Sequence, residues 1–290
     1  PISRRHILGG TFASLALAFT ACSGASPDPV ASSGTGSAGN GQFRTLDQIK
    51  SSGTVRIGVF SDKAPFGYID ADGKPAGYDV VYAERIGKDL GAQVDYVPVE
   101  AASRVEFLQT AKVDIILANF TVTPERGEKV DFANPYMKVS LGVVYPDSAL
   151  ITEEPQLAGK KIIVVKGTTA EAWLAKNHPE IEPDKYEQYN DATSALADGR
   201  GDAWVTDNTE ALAWAIASDG FTAGITALGD PDSIAGAVTK GNGTLLSWLN
   251  EHLVTLGKEQ FFHADFEQTL RPVYGESASA EELVVEGGQL

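Results

Sequence analysis

From Thr54 onward the chain repeats one pattern: a short β-branched run, an amphipathic helix, then another run. Successive strands separated by helices cannot pair as hairpins, so they lie parallel and the helices cover the faces of the sheet. Residues 55–59 read as a strand, and 79–90 as a helix with Val80, Ala83, Ile86, Gly87 and Leu90 on one stripe. Pro65, Gly67, Asp72-Gly73 and Pro75 punctuate a loop between them. Strand 94–97, helix 104–111 and strand 113–117 complete a β-α-β-α-β series. A long apolar stretch over 138–144 leads to a second series: strand 161–165, helix 169–177, strand 186–189, helix 192–197, strand 203–205 and helix 209–218. A strand over 234–238 and helices over 244–256 and 260–270 follow. The expected architecture is α/β, two units joined by extended segments, with the C-terminal part returning to the first.

The N-terminus is of another kind. Ser3-Arg4-Arg5-His6 precedes an apolar run through Ala21 that is too short, and too interrupted by Gly9 and Gly10, to span roughly 30 Å of hydrocarbon. It reads as an export signal. The paired arginines resemble a twin-arginine address, and Phe19-Thr20-Ala21-Cys22 resembles a lipobox whose cysteine is acylated. Residues 23–41, rich in Ser and Gly, cannot bury enough surface to offset their ordering entropy and read as a tether. Gly34-Thr35-Gly36-Ser37-Ala38-Gly39 spells GxGxxG, but no strand precedes it and no helix follows, so it carries no dinucleotide.

Composition removes several classes of function. A formal net charge of -16 repels nucleic acid and anionic membrane, so a lipid on Cys22 is the only membrane contact expected. The single cysteine forms no internal disulfide, and four dispersed histidines fit no metal-ligand spacing. No metal and no cofactor are expected. Nucleophile-elbow, HExxH and P-loop patterns are absent from the sequence, and Arg200-Gly201-Asp202 reads as a helix-to-strand turn.

What remains are polar residues at the C-terminal ends of expected strands, where open α/β sheets bind ligands. After the strand ending near Leu117 comes Asn119-Phe120-Thr121-Val122-Thr123-Pro124-Glu125-Arg126. Thr123 and Pro124 suit a helix start, and the planar guanidinium of Arg126 with the hydroxyl and amide of Thr121 suits a carboxylate. Equally, Thr123 caps a helix and Arg126 pairs with a surface acid such as Glu128. Lys166-Gly167-Thr168-Thr169 again follows a strand and opens a helix with free amides. Asp207 either faces an ammonium or caps the helix that begins there. Together, Arg126 and Asp207 complement the two charges of a zwitterion.

Gly77-Tyr78-Asp79-Val80, residues 118–126, Asp131-Phe132-Ala133-Asn134-Pro135-Tyr136-Met137 and Val164-Val165-Lys166-Gly167-Thr168-Thr169 resemble the family 3 bacterial solute-binding proteins, polar amino-acid receptors of ABC importers. Residues 59–68, 100–108 and 259–263 and the terminal Val284-Val285-Glu286-Gly287-Gly288 are similar to a subgroup that includes cysteine-binding lipoproteins. Val81 departs from the family signature, which usually has a second acid there.

The resemblance implies a two-lobed periplasmic-binding-protein fold of type II, each lobe a mostly parallel sheet flanked by helices, joined by a two-strand hinge. It sets a signal at 1–21, a lipidated tether at 22–43, lobe 1 at 44–142 plus 233–290 and lobe 2 at 143–232. Arg126 and Thr121 then hold a ligand carboxylate, assisted by Asn119, Gly167 and the amides of Thr168 and Thr169, while Asp207 takes the ammonium. Phe60 and Phe66 wall the side-chain pocket and Arg104 faces it. The implied protein is a monomeric, non-enzymatic envelope lipoprotein that hands a free amino acid to ABC permease subunits. Cysteine is the expected ligand, glutamate or aspartate the alternative through Arg104, and a dehydratase of the arogenate or prephenate type the alternative of another class.

Overall fold

The computed structural model describes residues 43–289; the expected signal, Cys22 and nearly all of the tether lie outside the described residues. Helix α1 (Leu46–Ser52) starts in a capping box between Thr45 and Gln48 and stops at Gly53, whose φ of 68° admits the left-handed turn. Strand β1 (Thr54–Val59) follows. The punctuated loop beyond it is itself a small antiparallel sheet of β2 (Asp62–Lys63), β3 (Gly67–Ile69) and β4 (Pro75–Ala76). Strands of two or three residues carry too little periodicity to be read from sequence.

Helix α2 (Tyr78–Leu90) buries the expected stripe and ends at Gly91 in the left-handed conformation. Then come β5 (Gln93–Pro98), α3 (Arg104–Gln109), β6 (Ile115–Ile116) and the short α4 (Pro124–Gly127). Helix α3 ends two residues before the expected 111, where the chain turns through Ala111 at φ 52°. The apolar stretch around 138–144 belongs to a much longer strand, β7 (Val130–Pro146).

The second series holds β8 (Ile162–Val165), α5 (Thr169–Asn177), β9 (Asp184–Tyr186), α6 (Tyr189–Ala197), β10 (Ala203–Asp207) and α7 (Asn208–Ala217). Tyr189, expected at a strand end, instead opens α6. A second long strand, β11 (Phe221–Thr239), precedes α8 (Gly243–Lys258). Its first part was not expected as strand: residues 226–232 are mostly exposed, include Gly229 and Pro231, and pair with β7 through repeated register shifts.

The strands form one sheet in the order β5-β1-β6-β11-β7-β10-β8-β9. Within each half pairing is parallel, β1 with β5 and β6, and β8 with β9 and β10; the central pairings are antiparallel. Because β7 and β11 pair along their length and reach both flanks, they are the two strands that join the halves. Val164 and its neighbours in β8 are buried on both faces, which explains why that strand reads as a continuous apolar run. One apolar cluster joins α2, α8 and residues 261–274 over the first half. Another contains Phe60, Val99 and Leu108 from the first half with Ile163, Tyr189 and Trp204 from the second, so the two halves pack on each other.

Asp265 lies between Phe262 and Phe266, two members of the first of these clusters. It is 2% exposed; Oδ1 accepts from Thr269 Oγ1 at 3.1 Å and Oδ2 has no partner among the described residues. Burial pushes its carboxyl up to about 9. The folded state therefore holds a proton that the unfolded chain releases near pH 4, and stability falls as pH rises from there towards the folded value. Wild-type melting temperature is expected to decline between about pH 5 and pH 8, and Asp265→Asn to flatten that slope. A variant slope as steep as wild type in differential scanning calorimetry removes Asp265 from this role.

Candidate functional site

Side chains from both halves converge at the C-terminal ends of β1, β6, β8 and β10, the edge at which open α/β sheets expose loops rather than ladder. On the first half the loop after β6 is bent sharply at Asn119, whose φ of 43° lies in the left-handed region that Asn adopts more readily than most side chains. Asp79, in the first turn of α2 and wholly buried, accepts the Asn119 amide at 2.7 Å and the Tyr136 hydroxyl at 2.6 Å. Burial pushes the Asp79 carboxyl up to about 7 against those two hydrogen bonds. The bend aims the carbonyls of Ala118 and Asn119 at Arg104.

Arg104 is 3% exposed and donates to Ala101 O at 2.9 Å, Ala118 O at 2.9 Å, Asn119 O at 3.2 Å and Gly167 O at 3.2 Å. Its guanidinium lies 4.6 Å from the Phe120 ring centroid, and that of Arg126 lies 4.9 Å from the same ring. Arg126 donates to Thr121 O at 2.7 Å and Gly167 O at 2.9 Å. Neither arginine forms an ion pair among the described residues, and Glu128, the surface acid considered for Arg126, does not pair with it. Burial lowers both guanidinium pKa values, that of Arg126 to about 9 with the Arg104 charge adding to the effect. Two cations held by carbonyl oxygens around one aromatic ring leave their charge available to an anion.

The second half supplies anions. Asp207 ends β10 and precedes α7, yet its side chain makes no capping hydrogen bond. Its Oδ2 accepts from Lys63 Nζ at 2.6 Å. Lys63 is 1% exposed and also donates to Asn119 Oδ1 at 2.9 Å and Tyr189 Oη at 3.2 Å, with Glu210 Oε2 at 3.4 Å. Burial works against its charge, but the Asp207 and Glu210 carboxylates more than offset it and raise its pKa. Burial pushes Glu210 up to about 7, and Thr206 Oγ1 donates to it at 2.6 Å.

The sequence-expected residues therefore occupy one region, with differences in detail. Thr121 is 3% exposed beneath Arg126. Thr168 uses its hydroxyl to cap α5 at Glu171 N and to donate to Val165 O, which leaves its amide and that of Thr169 at the helix start. Phe60 meets Tyr189 edge-on at 5.2 Å. Phe66 is fully buried in the core under α2 and reaches the site only through Lys63, whose Nζ lies 5.9 Å from its ring. Arg104, expected to face a side-chain pocket, uses four of its five N–H donors on carbonyls of the first half and Gly167.

Lys63, Tyr189, Glu210 and the bracing role of Asp79 were missed. A lysine is ordinarily solvated, so nothing in Ser61-Asp62-Lys63-Ala64-Pro65 marks this one as buried. Among the described residues no group of His, Cys, Asp and Glu could hold a metal ion.

This geometry can be set beside known proteins. Residues 55–266 match the family model for bacterial extracellular solute-binding proteins, family 3. The chain belongs to that family. A solved solute receptor for L-cysteine from Neisseria gonorrhoeae is 49% identical, covering 84% of this chain and 100% of that one with a TM-score of 0.82. A cysteine-binding protein from Campylobacter jejuni is 48% identical over 83% and 98% of the two chains, with a TM-score of 0.82. The glutamine-binding protein of an ABC transporter from Bacillus subtilis is 30% identical over 72% of this chain and 78% of its own length. In this family 3 protein the α/β sheet flanked by helices is thus the periplasmic-binding-protein fold expected from the sequence. No helix among the described residues is long and apolar enough to cross a membrane.

Proposed function

We propose that this solute-binding protein is the extracytoplasmic receptor of an ABC importer for a free amino acid, with cysteine as its ligand. The observation that carries the reading is charge placement among the described residues: two arginines without a carboxylate partner on one side of the cleft, and Asp207 with no donor to Oδ1 on the other. A zwitterionic amino acid presents its carboxylate to Arg126 and Thr121 and its ammonium to Asp207. The lobes, residues 44–142 plus 233–290 and 143–232, close on it about β7 and β11, and the closed form is what the permease reads. Cysteine is favoured over glutamate or aspartate because the relatives near 49% identity are cysteine receptors, whereas the 30% relative binds glutamine. The cleft is also filled by Lys63, Phe60 and Tyr189, which suits a small side chain. Binding, not bond chemistry, is the activity, and the protein acts as a monomer anchored by lipid on Cys22.

Melting temperatures measured against the twenty amino acids plus cystine test this. Cysteine at 100 times its dissociation constant adds about 2.7 kcal/mol of stability, a shift of a few degrees. A shift with glutamate or aspartate in place of cysteine moves the assignment to an acidic ligand. Absence of any shift with all twenty-one compounds sinks the reading.

A further inference from the structure

The next step rests on the amino-acid reading and concerns which side chains the cleft refuses. Asp207 and Glu210 place two buried carboxylates side by side on the second half, with Asn119 Oδ1 opposite. The ring of Tyr189 lies 4.6 Å from the point on which they converge and that of Phe60 5.7 Å. Carboxylates and aromatic faces around one point form a receptor for an organic cation. Lys63 Nζ stands at that point, reaching in from β2 of the first half. Its chain also lies beside Phe60, where a ligand side chain would extend.

We infer that Lys63 determines specificity: its ammonium is the built-in occupant of a cation cage, and it turns away amino acids with basic side chains. Lys63 and the ligand's own ammonium already balance the two carboxylates, so a basic side chain would add a third cation to a buried site and meet uncompensated repulsion. A neutral or polarisable side chain meets no such penalty. Lys63 takes Asp207 Oδ2, which leaves Oδ1, without a donor among the described residues, for the ligand's own ammonium. Specificity on this account comes from a repulsive group as much as from an attractive one.

Calorimetric titration with L-cysteine, L-ornithine and L-lysine near neutral pH separates the alternatives. Wild type is expected to bind cysteine and to ignore ornithine and lysine. Lys63→Ala empties the cage and is expected to bind ornithine or lysine at least tenfold more tightly than wild type does. Lys63→Ala combined with Glu210→Gln is expected to lose that gain, because one of the two carboxylates is gone. If Lys63→Ala does not fold by circular dichroism, Lys63→Gln removes the charge while retaining two N–H donors and is expected to lower the ornithine-to-cysteine discrimination at least tenfold. A folded Lys63 variant that still refuses both basic amino acids overturns the inference, whether or not it keeps cysteine. Failure of the amino-acid reading looks different, since wild type itself then binds none of the three.

Discussion

Arg126→Ala is expected to weaken amino-acid binding about a hundredfold to a thousandfold while the fold survives. The guanidinium lies against Phe120 and is held by the carbonyls of Thr121 and Gly167, with no carboxylate partner among the described residues. In the proposed binding mode the ligand carboxylate completes this arrangement, and removing one partner of a desolvated pair costs about 3 to 5 kcal/mol. At about 1.4 kcal/mol per decade that is roughly two to three and a half orders of magnitude in dissociation constant, and the half-exposed position of Arg126 places the expected loss in the lower part of that range.

The unliganded variant should melt no lower than wild type. Arg126 sits on the four-residue α4 at the rim, and its loss removes the repulsion from Arg104 that lowers its own pKa. Arg104→Ala is different: it is expected to destabilise the fold because the carbonyls of Ala101, Ala118 and Asn119 lose their Arg104 donor, whereas Gly167 O keeps Arg126. Calorimetry and thermal melts on both variants distinguish these outcomes. Near-native affinity in Arg126→Ala removes it from the carboxylate site.

The order of strands and helices was legible because burial periodicity is a local signal. The stripe of α2 and the fully apolar β8 each state their own environment. The long β11 was only half legible, since an exposed strand containing Gly229 and Pro231 has neither alternation nor an apolar run. The same division holds for the site. Asn119, Thr121, Arg126 and Asp207 sit at strand ends and next to helix starts, positions that sequence order alone specifies. Lys63 does not. Its burial depends on Asp207 and Tyr189, which lie 144 and 126 residues away along the chain. A charge neutralised by partners so remote leaves no trace in local composition. Asp79 shows the intermediate case: its motif was visible in the resemblance, but its task of bending the Asn119 loop required the geometry.

Gly167→Val is expected to hold the halves apart and to reduce ligand affinity at least a hundredfold. Gly167 has a φ of 73°, and a Cβ there meets Ala102 Cα at 2.4 Å and Ala102 N at 2.7 Å. Ala102 belongs to the first half and Gly167 to the loop between β8 and α5, so the collision exists only when the halves are together. Backbone cannot yield as a flexible side chain can. The same contact carries the Gly167 carbonyl to both Arg104 and Arg126, so separation also takes one shared acceptor from both arginines. Left-handed strain itself accounts for only about 1 to 2 kcal/mol, and a control isolates it. Gly159 has a φ of 74° with nothing within 4 Å of its Cβ position, so Gly159→Val carries the strain without the collision. Small-angle scattering at saturating amino acid should show Gly159→Val closing like wild type and Gly167→Val remaining extended. If Gly167→Val closes and binds as Gly159→Val does, the approach of Gly167 to Ala102 is not what closure requires, and the halves meet in another way.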